Sequence, residues 1–132
     1  TSEPVGILQT DQVPFNWVYS DTFSPPQNKD LVIYELLVRD FLEKHDYATL
    51  IDTLGYLKDL GINAIELMPI NEFEGNSSWG YNPSFYFAPD KYYGPAEDLK
   101  RFIDECHRHG IAVIQDIVLN HAYGQCPLVR LY

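Results

Sequence analysis

Asp116, Asn120 and His121 fall within one eleven-residue run, I-A-V-I-Q-D-I-V-L-N-H, from Ile111 to His121. Their types suit chemistry on hydroxyl-rich molecules. A neutral imidazole can donate to a sugar hydroxyl, and an amide oxygen can ligate a hard cation such as calcium. The apolar residues around them predict a strand covered on both faces, as in parallel sheets. Asp116 inside such a strand needs a partner, because burying an unpaired carboxylate is costly. Asn120 and His121 close the run at its C-terminal end, where barrel enzymes carry their chemistry. For these two residues the competing expectation is a loop cap and a solvated imidazole.

A second cluster is W-G-Y-N-P, Trp79 to Pro83. Gly80 permits a tight bend and close approach of a ligand. Tyr81 could lay its ring against a sugar face, while Trp79, Phe85 and Phe87 are expected to pack their loop down. The strands also contain Glu35 and Glu66. A carboxylate pair for glycosidic cleavage wants its oxygens roughly 5–5.5 Å apart for retention, but charged residues within barrel strands more often pair with neighbours. Arg39 and Asp40 are expected to pair with each other or across a barrel mouth. His45, His107 and His109 read as surface residues. His107 and His109 are two apart on a predicted helix, so they share no face.

The elements that must position these residues alternate. Residues 1–30 are polar and proline-bearing, and read as a linker or the tail of a preceding domain, with Phe15, Trp17 and Tyr19 as a candidate short strand. Leu31–Val38 predicts the first buried strand. Asp46 is a candidate N-cap, Leu50, Ile51, Leu54 and Leu57 recur at helical spacing, and Gly61 ends the helix. Ile62–Met68 predicts the second strand. The twenty-six residues from Pro69 to Gly94 hold eight aromatics and read as a long loop, a length that usually signals function. Pro95 suits the first turn of a second helix, whose stripe is Leu99, Phe102, Ile103 and Cys106. Gly110 stops it before the third strand. A weak repeat joins the units: Gly61-Ile62 and Gly110-Ile111 both follow a helix end and open an apolar strand. Such alternation predicts a parallel sheet. No G-x-G-x-x-G follows a strand, which weakens a dinucleotide fold.

With 132 residues, 45% hydrophobic and 21% charged, the chain suits a single globular unit. A net charge of −10 disfavours nucleic acid and anionic membranes as partners, and a neutral sugar fits it. Cys106 reads as a core residue and Cys126 as a loop residue. Two cysteines decide no compartment. No apolar stretch is long enough to cross a membrane, and the first residues show no signal-peptide pattern.

These motifs together resemble the alpha-amylase family, glycoside hydrolase family 13. Asp116–His121, D-I-V-L-N-H, is similar to its first conserved region. Ile33–Phe41 resembles the first barrel strand of branching-enzyme, pullulanase and trehalohydrolase members, which often have a histidine where this chain has Leu37. Gly61–Ile70 resembles the second strand and Trp79–Gly94 the loop after it. The resemblance covers about residues 31–124. It implies that Tyr81 stacks on the sugar where cleavage occurs and that His121 hydrogen-bonds the same sugar. Asp116 would hold an arginine near the nucleophile, and Asn120 would match a calcium position. No aspartate-rich calcium loop follows the first strand. The family's nucleophilic Asp, acid/base Glu and further Asp follow the fourth, fifth and seventh strands, beyond Tyr132.

The expectation is therefore an α/β fold, a partial TIM (β/α)8 barrel with the first three βα units in residues 31–132. Its partners would be an α-glucan or oligosaccharide and the remainder of the same barrel. Retaining hydrolysis is favoured over transfer by a branching enzyme or other transglycosylase. Two other classes compete: a non-catalytic carbohydrate-binding module, mostly β-sandwiches, and a self-sufficient flavodoxin-type domain. The chain alone is expected to be inactive and poorly soluble.

Overall fold

The computed structural model describes Thr10 and residues 13–132. Three parallel strands form its main sheet: β1 (Ile33–Leu36), β2 (Ala64–Leu67) and β5 (Ala112–Gln115), in the order β1-β2-β5. Ile33 pairs with Ala64 and Ala64 with Ala112, so the three strands run level. Between β2 and β5 lies a two-stranded antiparallel sheet, β3 (Asn71–Phe73) with β4 (Pro83–Pro89). The region read as an irregular loop thus contains a hairpin. Its register shifts around Glu72, which blurs any period-two signal.

All three strands are shorter than their apolar runs. Val38 is buried, but it opens a short helix, α1 (Val38–Phe41), and does not extend β1. Ile117 and Leu119 follow β5 without pairing and are exposed. An apolar run marks residues that want cover; it does not mark which of them find a ladder partner.

Helical structure from Tyr47 to Asp59 comes in three pieces: α2 (Tyr47–Leu50), a 3-10 turn (Ile51–Thr53) and α3 (Leu54–Asp59). Asp46 caps it as expected, its Oδ1 accepting from Thr49 N at 2.7 Å. Gly61 takes a φ of 92° just past the end. α4 (Ala96–Arg108) follows Pro95, with Glu97 and Asp98 in its first turn and His107 and Arg108 in its last, matching the helix dipole. A short α5 (Pro127–Leu131) follows β5.

Residues one apart on a strand face opposite ways. Leu36, Ile65 and Leu67 meet Leu50, Leu54, Leu57, Phe102 and Cys106 in one buried core, with Tyr34 and Val113 packed against it. Glu35, Glu66 and Ile114 occupy the other face. Glu35 and Glu66 are register partners, yet neither has an ion pair among the described residues.

The leading segment departs from its reading at several points. Phe15, Trp17 and Tyr19 form no strand. Val18, Tyr19 and Ser20 instead donate their backbone N–H groups to the buried carboxylate of Asp104, each at 3.0 Å. His107 is not a free surface residue either. Its Nδ1 lies 2.7 Å from Ser20 Oγ and its ring stacks on Phe23 at 4.2 Å. Cys106 and Cys126 are both buried and free.

Candidate functional site

Tyr81, Asp116 and His121 meet beyond the C-terminal ends of β2 and β5. Asp116 directly follows β5 and lies outside it, contrary to its reading as a residue within the strand. It is half-buried, its N–H donates to Leu67 O at 3.0 Å, and its Oδ2 accepts from the Tyr81 hydroxyl at 2.6 Å. The partner this carboxylate needed is thus a phenol. The Asp116 carboxylate, as hydrogen-bond acceptor, pushes the Tyr81 hydroxyl up to about 12. Partial burial and the negative charges of Glu35 and Glu66 add to the effect.

His121 Nε2 lies 2.8 Å from the Tyr81 carbonyl oxygen. A carbonyl only accepts, so the proton of the neutral ring is on Nε2. Nδ1 then meets a hydroxyl as an acceptor, and it donates only when the ring is protonated. This refines the expectation that a neutral His121 would donate. Two further bonds hold the same segment: Tyr86 OH donates to His121 O at 2.5 Å and Tyr123 N to Pro83 O at 2.9 Å.

Gly80 fixes where Tyr81 stands. Its φ is 91°, and a Cβ there would lie 2.3 Å from the Pro69 carbonyl oxygen. Ser78 Oγ accepts from Gly80 N at 3.0 Å, and the Ser78 hydroxyl bonds the Asn82 amide. An open cleft of about 420 Å³ adjoins the turn, lined by Arg39, Ser77, Ser78, Trp79, Tyr81 and Asn82. Arg39 pairs in two-pronged fashion with Asp40, at 2.6 and 2.8 Å. Trp79 and Phe87 do not pack the loop down as expected; they are 59% and 98% exposed.

Asn120 is exposed. Calcium takes six to eight oxygens, usually with carboxylates among them. Among the described residues no group of three or more His, Cys, Asp or Glu side chains could hold a metal ion. Sequence reasoning missed Tyr86. Its only signal was membership of the aromatic run Phe85-Tyr86-Phe87.

Parallel strands backed by helices on one face, with an aromatic, an imidazole and a carboxylate gathered at their C-terminal ends, define part of a (β/α)8 barrel enzyme. Residues 17–128 match the family model for the alpha-amylase catalytic domain. The chain belongs to the alpha-amylase family. It is 41% identical over 95 residues to a malto-oligosyltrehalose trehalohydrolase of Saccharolobus solfataricus, covering 72% of this chain and 17% of that protein. It is 38% identical over 113 residues to a 1,4-alpha-glucan branching enzyme of Shewanella frigidimarina, covering 80% and 15%. A solved putative alpha amylase from Salmonella typhimurium superposes with a TM-score of 0.82 at 34% identity, covering 86% of this chain and 20% of that one. The chain spans less than a fifth of the length of these two curated relatives.

Proposed function

We propose that this chain forms the sugar-holding rim of an enzyme that hydrolyses α-glucosidic bonds in starch- or glycogen-like polysaccharide, with retention of configuration. The observation that carries the reading is the convergence of Asp116 and His121 on Tyr81 at the strand ends, one at its hydroxyl and the other at its carbonyl oxygen. Maltooligosyl and 1,4-α-glucan chemistry in the names of its relatives supports the substrate class. Tyr81 offers a ring face to a pyranose and His121 Nδ1 accepts one of its hydroxyls. Asp116 braces Tyr81 and supplies the negative charge that an arginine beside the nucleophile would meet.

The acid that protonates the leaving oxygen and the carboxylate that attacks the anomeric carbon come from outside these 132 residues. Glu35 and Glu66 do not fill those roles, and the chain alone is inactive. Transfer to a sugar acceptor is the second reading, favoured by the likeness to branching enzymes. Tyr81 and His121 would serve both, since each contacts the sugar before water or an acceptor arrives.

The test compares Tyr81→Ala and His121→Ala with the parent sequence in the full-length protein, assayed on maltoheptaose. Each should lower kcat/KM about a hundredfold, as loss of substrate positioning does. Unchanged kinetics in both, or release of reducing sugar by the 132-residue chain alone, would overturn the reading.

A further inference from the structure

We infer that Tyr86 is a positioning residue for sugar binding: its hydroxyl holds the backbone of His121 so that the imidazole keeps Nε2–H on the Tyr81 carbonyl and Nδ1 ready as an acceptor. This rests on the reading of His121 as a sugar contact.

His121 lies six residues past the end of β5, in a segment without regular structure. Its side chain is exposed, so packing does not hold it. Hydrogen bonds to the neighbouring hairpin do. The ring is tied to Tyr81 O and the main chain to Tyr86 OH. Each bond alone leaves a freedom: the ring contact permits the backbone to swing, and the backbone contact permits the ring to turn. Together they fix both.

Tyr86 is itself held by the sheet. Its carbonyl accepts from Asn71 Nδ2 at 2.6 Å, and Asn71 Oδ1 accepts from Gln115 Nε2 at 3.3 Å. Gln115 is the last residue of β5, directly before Asp116. A closed chain of contacts therefore runs from β5 through Asn71 and Tyr86 to His121, and from there through Tyr81 back to Asp116. A supporting shell of this kind keeps a binding group within the narrow tolerance that recognition needs.

Tyr86→Phe keeps the ring and removes the hydroxyl. In the full-length protein, maltoheptaose affinity measured by calorimetry should fall about 3- to 10-fold, the range expected for loss of one neutral hydrogen bond. The 15N shifts of the His121 imidazole should move from a pure Nε2–H form towards a mixture of tautomers. A merely structural role for Tyr86 would lower the melting temperature and leave those shifts unmoved. Wild-type affinity together with wild-type imidazole shifts in Tyr86→Phe would overturn the inference. His121→Ala separates the two failures. If His121→Ala weakens binding and Tyr86→Phe does not, the inference alone falls; if neither does, the proposed function falls with it.

Discussion

The hydroxyl of Tyr81 donates to Asp116 Oδ2 across 2.6 Å and links the turn ahead of β4 to the end of β5. The bond favours the neutral phenol, which is why Tyr81 is pushed up to about 12 from an ordinary 10.0. A group whose proton is held more tightly in the folded state contributes stability below its unfolded pKa, and loses that contribution as pH rises through the folded one. The window for this pair is therefore about pH 10 to 12. Asp116→Asn removes the charge and keeps the shape. The 13Cζ titration of Tyr81 should then move down towards 10. An unchanged titration would mean that Asp116 is not the cause.

Gly80 sets the approach of the whole turn to the main sheet. At a φ of 91° an alanine is strained, and its Cβ would lie 2.3 Å from a backbone oxygen of Pro69, which cannot swing aside as a side chain would. Gly80→Ala should cost about 2 kcal/mol or more. It should also displace Tyr81 from Asp116, so that the Tyr81 titration falls in step with stability. Thermal unfolding and the same 13C titration check both. A folded Gly80→Ala protein with Tyr81 still near 12 would show that the turn tolerates the shift.

Much of this architecture was legible because it rests on periodicity and punctuation. Leu54, Leu57, Phe102 and Cys106 at helical spacing, Asp46 as a cap and Gly61 and Gly110 as stops all occupy their expected places. The hairpin of β3 and β4 was hidden because its register slips. Asp104 was hidden for another reason. Its helical position reads as an ordinary polar residue, and only the tertiary arrival of Val18, Tyr19 and Ser20 turns it into a buried anchor. The meeting of Tyr81 with His121 was legible only as a resemblance, since a separation of forty positions carries no spacing rule that joins them. Beyond its place in an aromatic run, the role of Tyr86 was not legible, because its hydroxyl matters through a backbone oxygen, and any residue at position 121 would have presented one.

The face of the sheet opposite the core is sparsely covered. Ile33 is 46% exposed, among the described residues β1 and β5 each pair with only one strand in this sheet, and Leu119 beyond β5 is exposed as well. Unpaired strand edges beside apolar surface invite pairing between copies. The purified 132-residue chain should therefore self-associate, with a sedimentation coefficient that rises with concentration. A single monomeric boundary up to about 100 μM, well into the range where exposed edges drive association, would contradict this.

Asp104 provides the sharpest stability test. Burial pushes its carboxyl up, but the N–H groups of Tyr19 and Val18, with the hydroxyl and N–H of Ser20, outweigh that and hold it below the ordinary 3.8. Because the folded value is depressed, the contribution to stability is present above pH 3.8 and is lost as pH falls through the lowered value. Asp104→Ala strips three backbone donors of their acceptor at once. Charge-assisted bonds of this kind are each worth about 1.5–3 kcal/mol. Solvent that reaches the partly buried donors offsets much of the sum, so a net loss of about 3 kcal/mol is expected, roughly 10 °C in Tm for a chain of this size. The difference between variant and parent should shrink as pH falls below the ordinary carboxylate value of 3.8, where the unfolded chain takes up a proton that the folded carboxylate resists. A detached leader on an intact core would give a different result: rapid amide exchange at Val18, Tyr19 and Ser20 with no change in Tm. That outcome would make Asp104 a local clasp and not a part of the cooperative fold. Exchange rates and Tm measured on the same variant separate the two, and protection unchanged at all three amides would remove Asp104 from both roles.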